Sequence, residues 1–146
     1  MKRHPALYPL SHDHHQGLIL AQQLKKGAPP YKGMPSNLED KKNYTITFYN
    51  LELINHFLEE EEILFPLVKG RNSDVDNQMK VIIKEHKMME KLISEIKDTN
   101  ELEEKLDELG WLLEKHIRKE ERELFTAIEK LLTENELSEL ESKLKQ

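Results

Sequence analysis

The sequence predicts an all-α protein: an up-down-up-down four-helix bundle with a short additional C-terminal helix. Three observations lead there. Leu, Glu and Lys dominate the composition, and aromatic residues make up only 6% of the chain. Such a mixture favours helix and offers little of the β-branched and aromatic enrichment that strands need. Apolar residues recur at three- and four-residue spacing through four long stretches. Turn-forming residues interrupt that pattern at three places and again before the C-terminus.

The first helix follows Pro9 and runs from Leu10 to about Lys26, ended by Gly27-Ala28-Pro29-Pro30. Residues 27–36 form the longest connection. Ser36 or Asn37 can cap the second helix, which runs to about Leu64 and is expected to kink or stop near Pro66. Lys69-Gly70-Arg71-Asn72 makes the next turn, with Ser73 as the expected cap of the third helix. Asp74 and Asp76 lie in its first turn, where the helix dipole favours negative charge. Asp98-Thr99-Asn100 breaks the pattern, and a fourth helix spans about Glu101 to Glu129. Thr133 with Glu136 is a capping-box signature for a fifth, short helix. One domain is expected over 1–146, with the bundle over about 10–130 and the C-terminal helix over about 133–145.

Composition also excludes function classes. No cysteine is present, so disulfides, zinc–thiolate sites and thiol nucleophiles are absent. Lys and Arg number 22 against 28 Asp and Glu, a formal net charge of −6. An acidic chain has no general attraction for phosphate backbones, so a nucleic-acid partner is not expected. Apolar runs fall far short of a membrane span, and the polar N-terminal stretch lacks a signal-peptide core. A cytoplasmic protein without a membrane partner is the expectation. No phosphate-binding glycine loop or Ser or Lys nucleophile constellation stands out.

An internal repeat carries the chemistry. His56 to Phe65 and His116 to Phe125 both read H-x-x-x-E-E-x-x-L-F. The intervening helices echo each other more weakly, His14-His15-Gln16-Gly17-Leu18 against Glu85-His86-Lys87-Met88-Met89. On a helix, residues i and i+4 share a face. His56 therefore projects with Glu60, and His116 with Glu120, each pair on a mainly apolar stripe. His86 lies among Met79, Ile82, Ile83, Met89 and Ile93. His15 shares its face with Ser11, Leu18 and Ile19, a less apolar setting.

A single His-x-x-x-Glu is commonly a solvated pair, and a lone core histidine is commonly structural. Two tandem copies with further histidines on the other helices are harder to explain that way. Buried carboxylates need compensation. A dication supplies it, and imidazole with carboxylate suits iron, manganese or zinc. One His or His-x-x-x-Glu from each of four helices is how bundles assemble dimetal centres. Glu60 and Glu120 are expected to bridge two metal ions, with imidazoles capping them.

These residues resemble the hemerythrin-like HHE cation-binding domains, over about Leu10 to Phe125. Asp13-His14-His15-x-x-Leu18 is similar to that family's first-helix segment, in which the His three before the Leu binds metal; this selects His15 over His14. His56-Phe57-x-x-Glu60-Glu61-x-x-Leu64-Phe65-Pro66 resembles the second-helix motif, Lys84-Glu85-His86 the third, and His116-x-x-x-Glu120-Glu121 the fourth. The expected ligands are His15, His56, Glu60, His86, His116 and Glu120. His14 and His4 are read as surface residues, with His14 a second candidate for an outer role.

The resemblance implies a non-haem centre of two iron ions, with manganese or zinc as alternatives. It further implies binding of dioxygen or a related diatomic such as nitric oxide, for sensing, storage or transport. Oxygen carriers hold another His one turn before or after the third-helix His, where this chain has Ile82 and Glu90. They also place an Asp five residues after the fourth-helix His, where Glu121 stands. The set thus has one imidazole fewer, and Glu90 or His12 is the residue near enough to replace it. A carboxylate-rich set stabilises the ferric state. The alternative function is therefore a di-iron oxidase or an enzyme handling peroxide or nitric oxide.

Overall fold

The computed structural model describes residues 2–144, and among them there is no β-strand. A short 3₁₀ turn, Pro5–Leu7, leads into α1, Tyr8–Leu24. The second rod, α2, spans 38–68 and is helical without a break. Asn37 caps it, its side-chain oxygen accepting from the Asp40 N–H at 2.8 Å. Helix α3 is Ser73–Ile96. Helix α4 spans 102–131, and α5 is Glu134–Leu144. The expected end of α5 near 145 lies outside the described residues. No helix among those described is long and apolar enough to cross a membrane.

Three boundaries depart from the sequence expectation. Asn72, not Ser73, caps α3: its side chain accepts from the Asp74 and Val75 N–H groups at 2.9 and 3.1 Å. Helix α1 begins two residues early because the 3₁₀ turn feeds directly into it. Pro66 does not stop α2, which continues to Val68. Just before it, Glu60–Leu64 is a π-helical stretch. Such a widened turn already leaves a carbonyl without its usual partner, so the missing proline N–H costs little there. Two further π stretches occur, Tyr49–Leu53 in α2 and Glu120–Leu124 in α4.

The apolar core falls into two clusters. One gathers Leu7, Leu10, Leu64, Phe65, Ile82, Leu124, Phe125 and Ile128 with residues of α5. The other gathers Leu20, Leu24, Leu53, Met89, Ile93, Leu109 and Leu113. Along α1 and α3 the chain passes from the first cluster to the second; along α2 and α4 it passes back. Each fully buried aliphatic side chain contributes about 1.5–3 kcal/mol. Between the clusters every one of these four helices turns polar residues inward.

Helices α1 and α4 approach closely. A Cβ on Gly110 would sit 2.7 Å from the Ala21 carbonyl oxygen, and one on Gly17 would sit 2.8 Å from Ile117 Cδ1. Helix α5 closes one end of the core. Its capping box is formed, Thr133 N–H donating to Glu136 at 2.9 Å and Glu136 N–H donating back to Thr133 Oγ1 at 3.2 Å. Arg71 pairs with the same Glu136, tying α5 to the α2–α3 turn.

Candidate metal centre

The polar layer contains His14, His56, Glu60, His86, His116 and Glu120, all buried, with both glutamates fully inaccessible. Their inward atoms form two groups. One is His14, His56, Glu60 and Glu120; the other is Glu60, His86, His116 and Glu120. Within each group the four ligand-type atoms lie within 4.8 Å of one another. The glutamates belong to both groups and each histidine to one.

Five of the six residues expected from sequence come together here: His56, Glu60, His86, His116 and Glu120. His15 does not. It is exposed on the outer side of α1, and His14 occupies the place assigned to it. His14 is 4% exposed, so reading it as a surface residue is also corrected. The helical face explains the difference. Leu7, Leu10, His14, Gly17, Ala21 and Leu24 recur at three and four residues and are all buried. His15 is 100° around the helix from that stripe. Glu90 and His12 are exposed and lie outside both groups, and Ile82 is a wholly buried apolar residue.

A second layer holds the imidazoles. His14 Nδ1 lies 2.5 Å from Glu121, and His56 Nδ1 lies 3.0 Å from Asp13. His86 Nδ1 lies 2.6 Å from Glu61, and His116 Nδ1 lies 2.8 Å from Glu85. The pattern is two-fold. The acid before His14 holds His56, as the acid before His86 holds His116. The acid after Glu60 holds His86, as the acid after Glu120 holds His14. Sequence reading missed Asp13, Glu61, Glu85 and Glu121 in these roles. Their signal was an acid next to each inward residue, and pairing Asp13-His14 with Glu85-His86 in the repeat would also have selected His14.

This layer determines what the centre can accept. An ionised carboxylate only accepts hydrogen bonds, so each Nδ1 carries a hydrogen, and a metal ion held here would find the Nε2 lone pairs. Each Nε2 faces further acceptors. His116 Nε2 is 2.8 Å from Glu120 Oε1 and His86 Nε2 is 3.1 Å from Glu60 Oε1. His56 Nε2 is 3.3 Å from Glu60 Oε2 and 3.1 Å from His14 Nε2. Among the described residues, both oxygens of Glu60 and of Glu120, and Nε2 of His86 and His116, have no hydrogen-bond partner. Burying such groups unpaired costs several kcal/mol each. Positive charge between them removes that cost.

The acid–base behaviour agrees. Burial pushes the His116 pKa down, but Glu120 and Glu85 outweigh it and the net value rises to about 9. Burial likewise opposes protonation of His56 and His14, yet Glu60 with Asp13, and Glu120 with Glu121, raise both. Burial raises Glu120, while His116, Glu60 and His14 together bring it well below the ordinary carboxylate range. Without metal, protons are drawn into the same space. The donor set is imidazole and carboxylate with no sulfur, which fits iron, manganese or zinc.

The surroundings differ between the two groups. His86 stacks on Phe57 at 3.9 Å between ring centroids, and His14 stacks on Phe125 at 5.3 Å. Beside His86 a cleft of about 390 Å³ opens to solvent, lined also by Tyr49, Ile54, Leu58 and Glu61.

A helical bundle whose buried layer presents paired His and Glu ligand atoms to a common space defines a cation-binding protein. Residues 6–128 match the family model of the hemerythrin HHE cation-binding domain, and the chain belongs to that family. Neither the search of curated proteins nor that of solved structures returned a match.

Proposed function

We propose that the protein is a dinuclear non-haem iron protein that binds dioxygen or a related small ligand such as nitric oxide. The fold in this reading is an up-down-up-down bundle, supported by the alternating passage of α1 to α4 between the two apolar clusters. His14 and His56 would hold one ion and His86 and His116 the other, with Glu60 and Glu120 shared. The observation that carries the reading is the set of buried carboxylate oxygens and imidazole nitrogens that converge without hydrogen-bond partners among the described residues.

Iron there would supply Lewis acidity and one-electron chemistry to a bound small molecule. The protein's part is orientation and exclusion of water. The four outer carboxylates keep each Nε2 aimed inward, and the two apolar clusters seal the layer from above and below. Two imidazoles and two shared carboxylates per ion leave room for an exogenous ligand. The cleft beside His86 is the route by which one would enter.

Elemental analysis with an absorption spectrum tests this. Purified iron-loaded protein is expected to hold about two metal ions per chain, as dimetal bundles do, and to gain visible bands with azide. Metal-free protein that takes up none, with a melting temperature indifferent to chelators, would overturn it.

The cleft favours a second reading, catalysis on peroxide or nitric oxide, because it gives a substrate direct access to the His86 half. Steady turnover lost in His56→Ala supports this reading. Binding without turnover refutes it.

A further inference from the structure

The two halves of the molecule repeat their ligands but not the charge around them. In the tandem motif, Glu59 stands before Glu60 where Lys119 stands before Glu120. The two positions are equivalent and opposite in charge. Each residue also lies beside the acid that grips the histidine of its own motif. Lys119 Nζ is 2.6 Å from Glu85 Oε2, and the other oxygen of Glu85 is 2.8 Å from His116 Nδ1. Glu59 instead neighbours Asp13, the acid on His56. Both line one shallow hollow, which no described lysine or arginine lines, and the Asp13 charge acts unfavourably on Glu59.

A carboxylate on Nδ1 makes an imidazole a stronger donor through Nε2. A cation on the second oxygen of that carboxylate takes back part of the effect, and a further anion adds to it. Arg3 offsets Glu121 on the His14 side. Even so, Asp13, Glu59 and Glu121 with Arg3 leave the His14–His56 half more negative than Glu61 and Glu85 with Lys119 leave the His86–His116 half.

We propose that Glu59 and Lys119 are positioning residues of opposite sign that make the two metal positions unequal. Glu59, acting through Asp13 and His56, favours the more highly charged ion. Lys119, acting through Glu85 and His116, favours the less charged one. In iron-loaded protein the ferric state is therefore held more firmly by His14 and His56, and the ferrous state by His86 and His116, beside the cleft. The inference rests on the dinuclear reading above.

Spectroelectrochemistry on the iron-loaded full chain reads the two Fe(III)-to-Fe(II) steps, with each electron supplied by the electrode. Lys119→Met removes the charge, keeps the stem and should lower the upper step. Glu59→Gln should raise the lower step. The midpoint thus moves in opposite directions in the two variants, yet the gap between steps narrows in both. A tenfold change at one position narrows it by about 59 mV. Lys119→Arg should restore the parent gap, which a merely structural loss in Lys119→Met would not predict. Zinc uptake by metal-free parent, followed by elemental analysis, tests the underlying reading without redox chemistry. Fewer than about two zinc ions per chain would overturn the dinuclear reading and this inference with it. Full zinc uptake with a single unresolved step in the parent, or with a gap that neither variant changes, overturns the inference alone. So does a displacement of both steps together, as a general surface charge would cause, or a Lys119→Arg variant that behaves like Lys119→Met.

Discussion

His14 is backed by Phe125 and held through Glu121, which Arg3 and Ser11 grip in turn. His86, its counterpart, is backed by Phe57 and held through Glu61, which no other described side chain grips. Arg3 also reaches Glu129 and lies over the Phe125 ring. The segment before α1 is therefore strapped across the His14 half, while a cleft opens onto the His86 half. The same donors are thus set in two environments, one clamped and one bordered by a cleft. In a pseudo-symmetric site, function can be divided by what surrounds the ligands and not by the ligands themselves. Exchange of small molecules is expected on the His86 side, with the His14 side holding its ion the longer.

The largest effect should come from erasing the distinction altogether. Glu120→Ala removes a carboxylate common to both halves, so metal content measured by elemental analysis should fall towards zero. If one full equivalent of metal survives, the glutamates are not shared. Next in size is a comparison of neighbours on α1. His14→Ala should lose metal from one half, and His15→Ala should leave the content unchanged. The reverse result would restore the sequence-based choice. Third, Glu61→Ala and Glu121→Ala each remove one outer carboxylate, and such losses cost about 10–100-fold in metal affinity. Competition with a chelator should show the larger loss for Glu121, whose removal also takes away the carboxylate that Arg3 and Ser11 grip; equal losses would mean that the strap contributes nothing.

A fourth effect is independent of metal. Gly110→Ala pushes a methyl against the Ala21 carbonyl in the α1–α4 seam and should destabilise metal-free protein by about 1–3 kcal/mol in denaturant titration. The smallest concerns the tie between α5 and the first hairpin. The Arg71 guanidinium lowers the Glu136 pKa from 4.5 to about 2. A depressed carboxylate stabilises the fold above its ordinary pKa and loses that contribution as pH falls through about 2. Thermal melts of Glu136→Gln should therefore run closer to the parent at pH 2 than at pH 5, and a constant gap would exclude the pair as a contributor.

Helix positions were legible in the sequence because they depend on local signals, such as the Thr133–Glu136 box and the Asn37 cap. The two His-x-x-x-Glu pairs were legible because i and i+4 spacing alone places them on one face. The structure departs from the sequence-based choice of His15 over His14 for an identifiable reason. That choice followed a spacing to Leu18 when the stripe through Leu10, Gly17 and Ala21 pointed elsewhere. The outer carboxylates were not legible because each grips a histidine on another helix, and that pairing depends on how the helices pack. Nor was the passage through Pro66, since nothing local announces a π turn.

The two π turns at Glu60–Leu64 and Glu120–Leu124 start on the shared glutamates. Each is, in effect, a helix carrying one residue too many. Deleting a residue from either stretch would give the backbone a more comfortable spiral, yet it would swing everything downstream by about 100°. Leu64 and Phe65, or Leu124 and Phe125, would then leave the core. Residue number in these two turns is thus locked at both ends, by the buried glutamate that opens each and the core leucine that closes it.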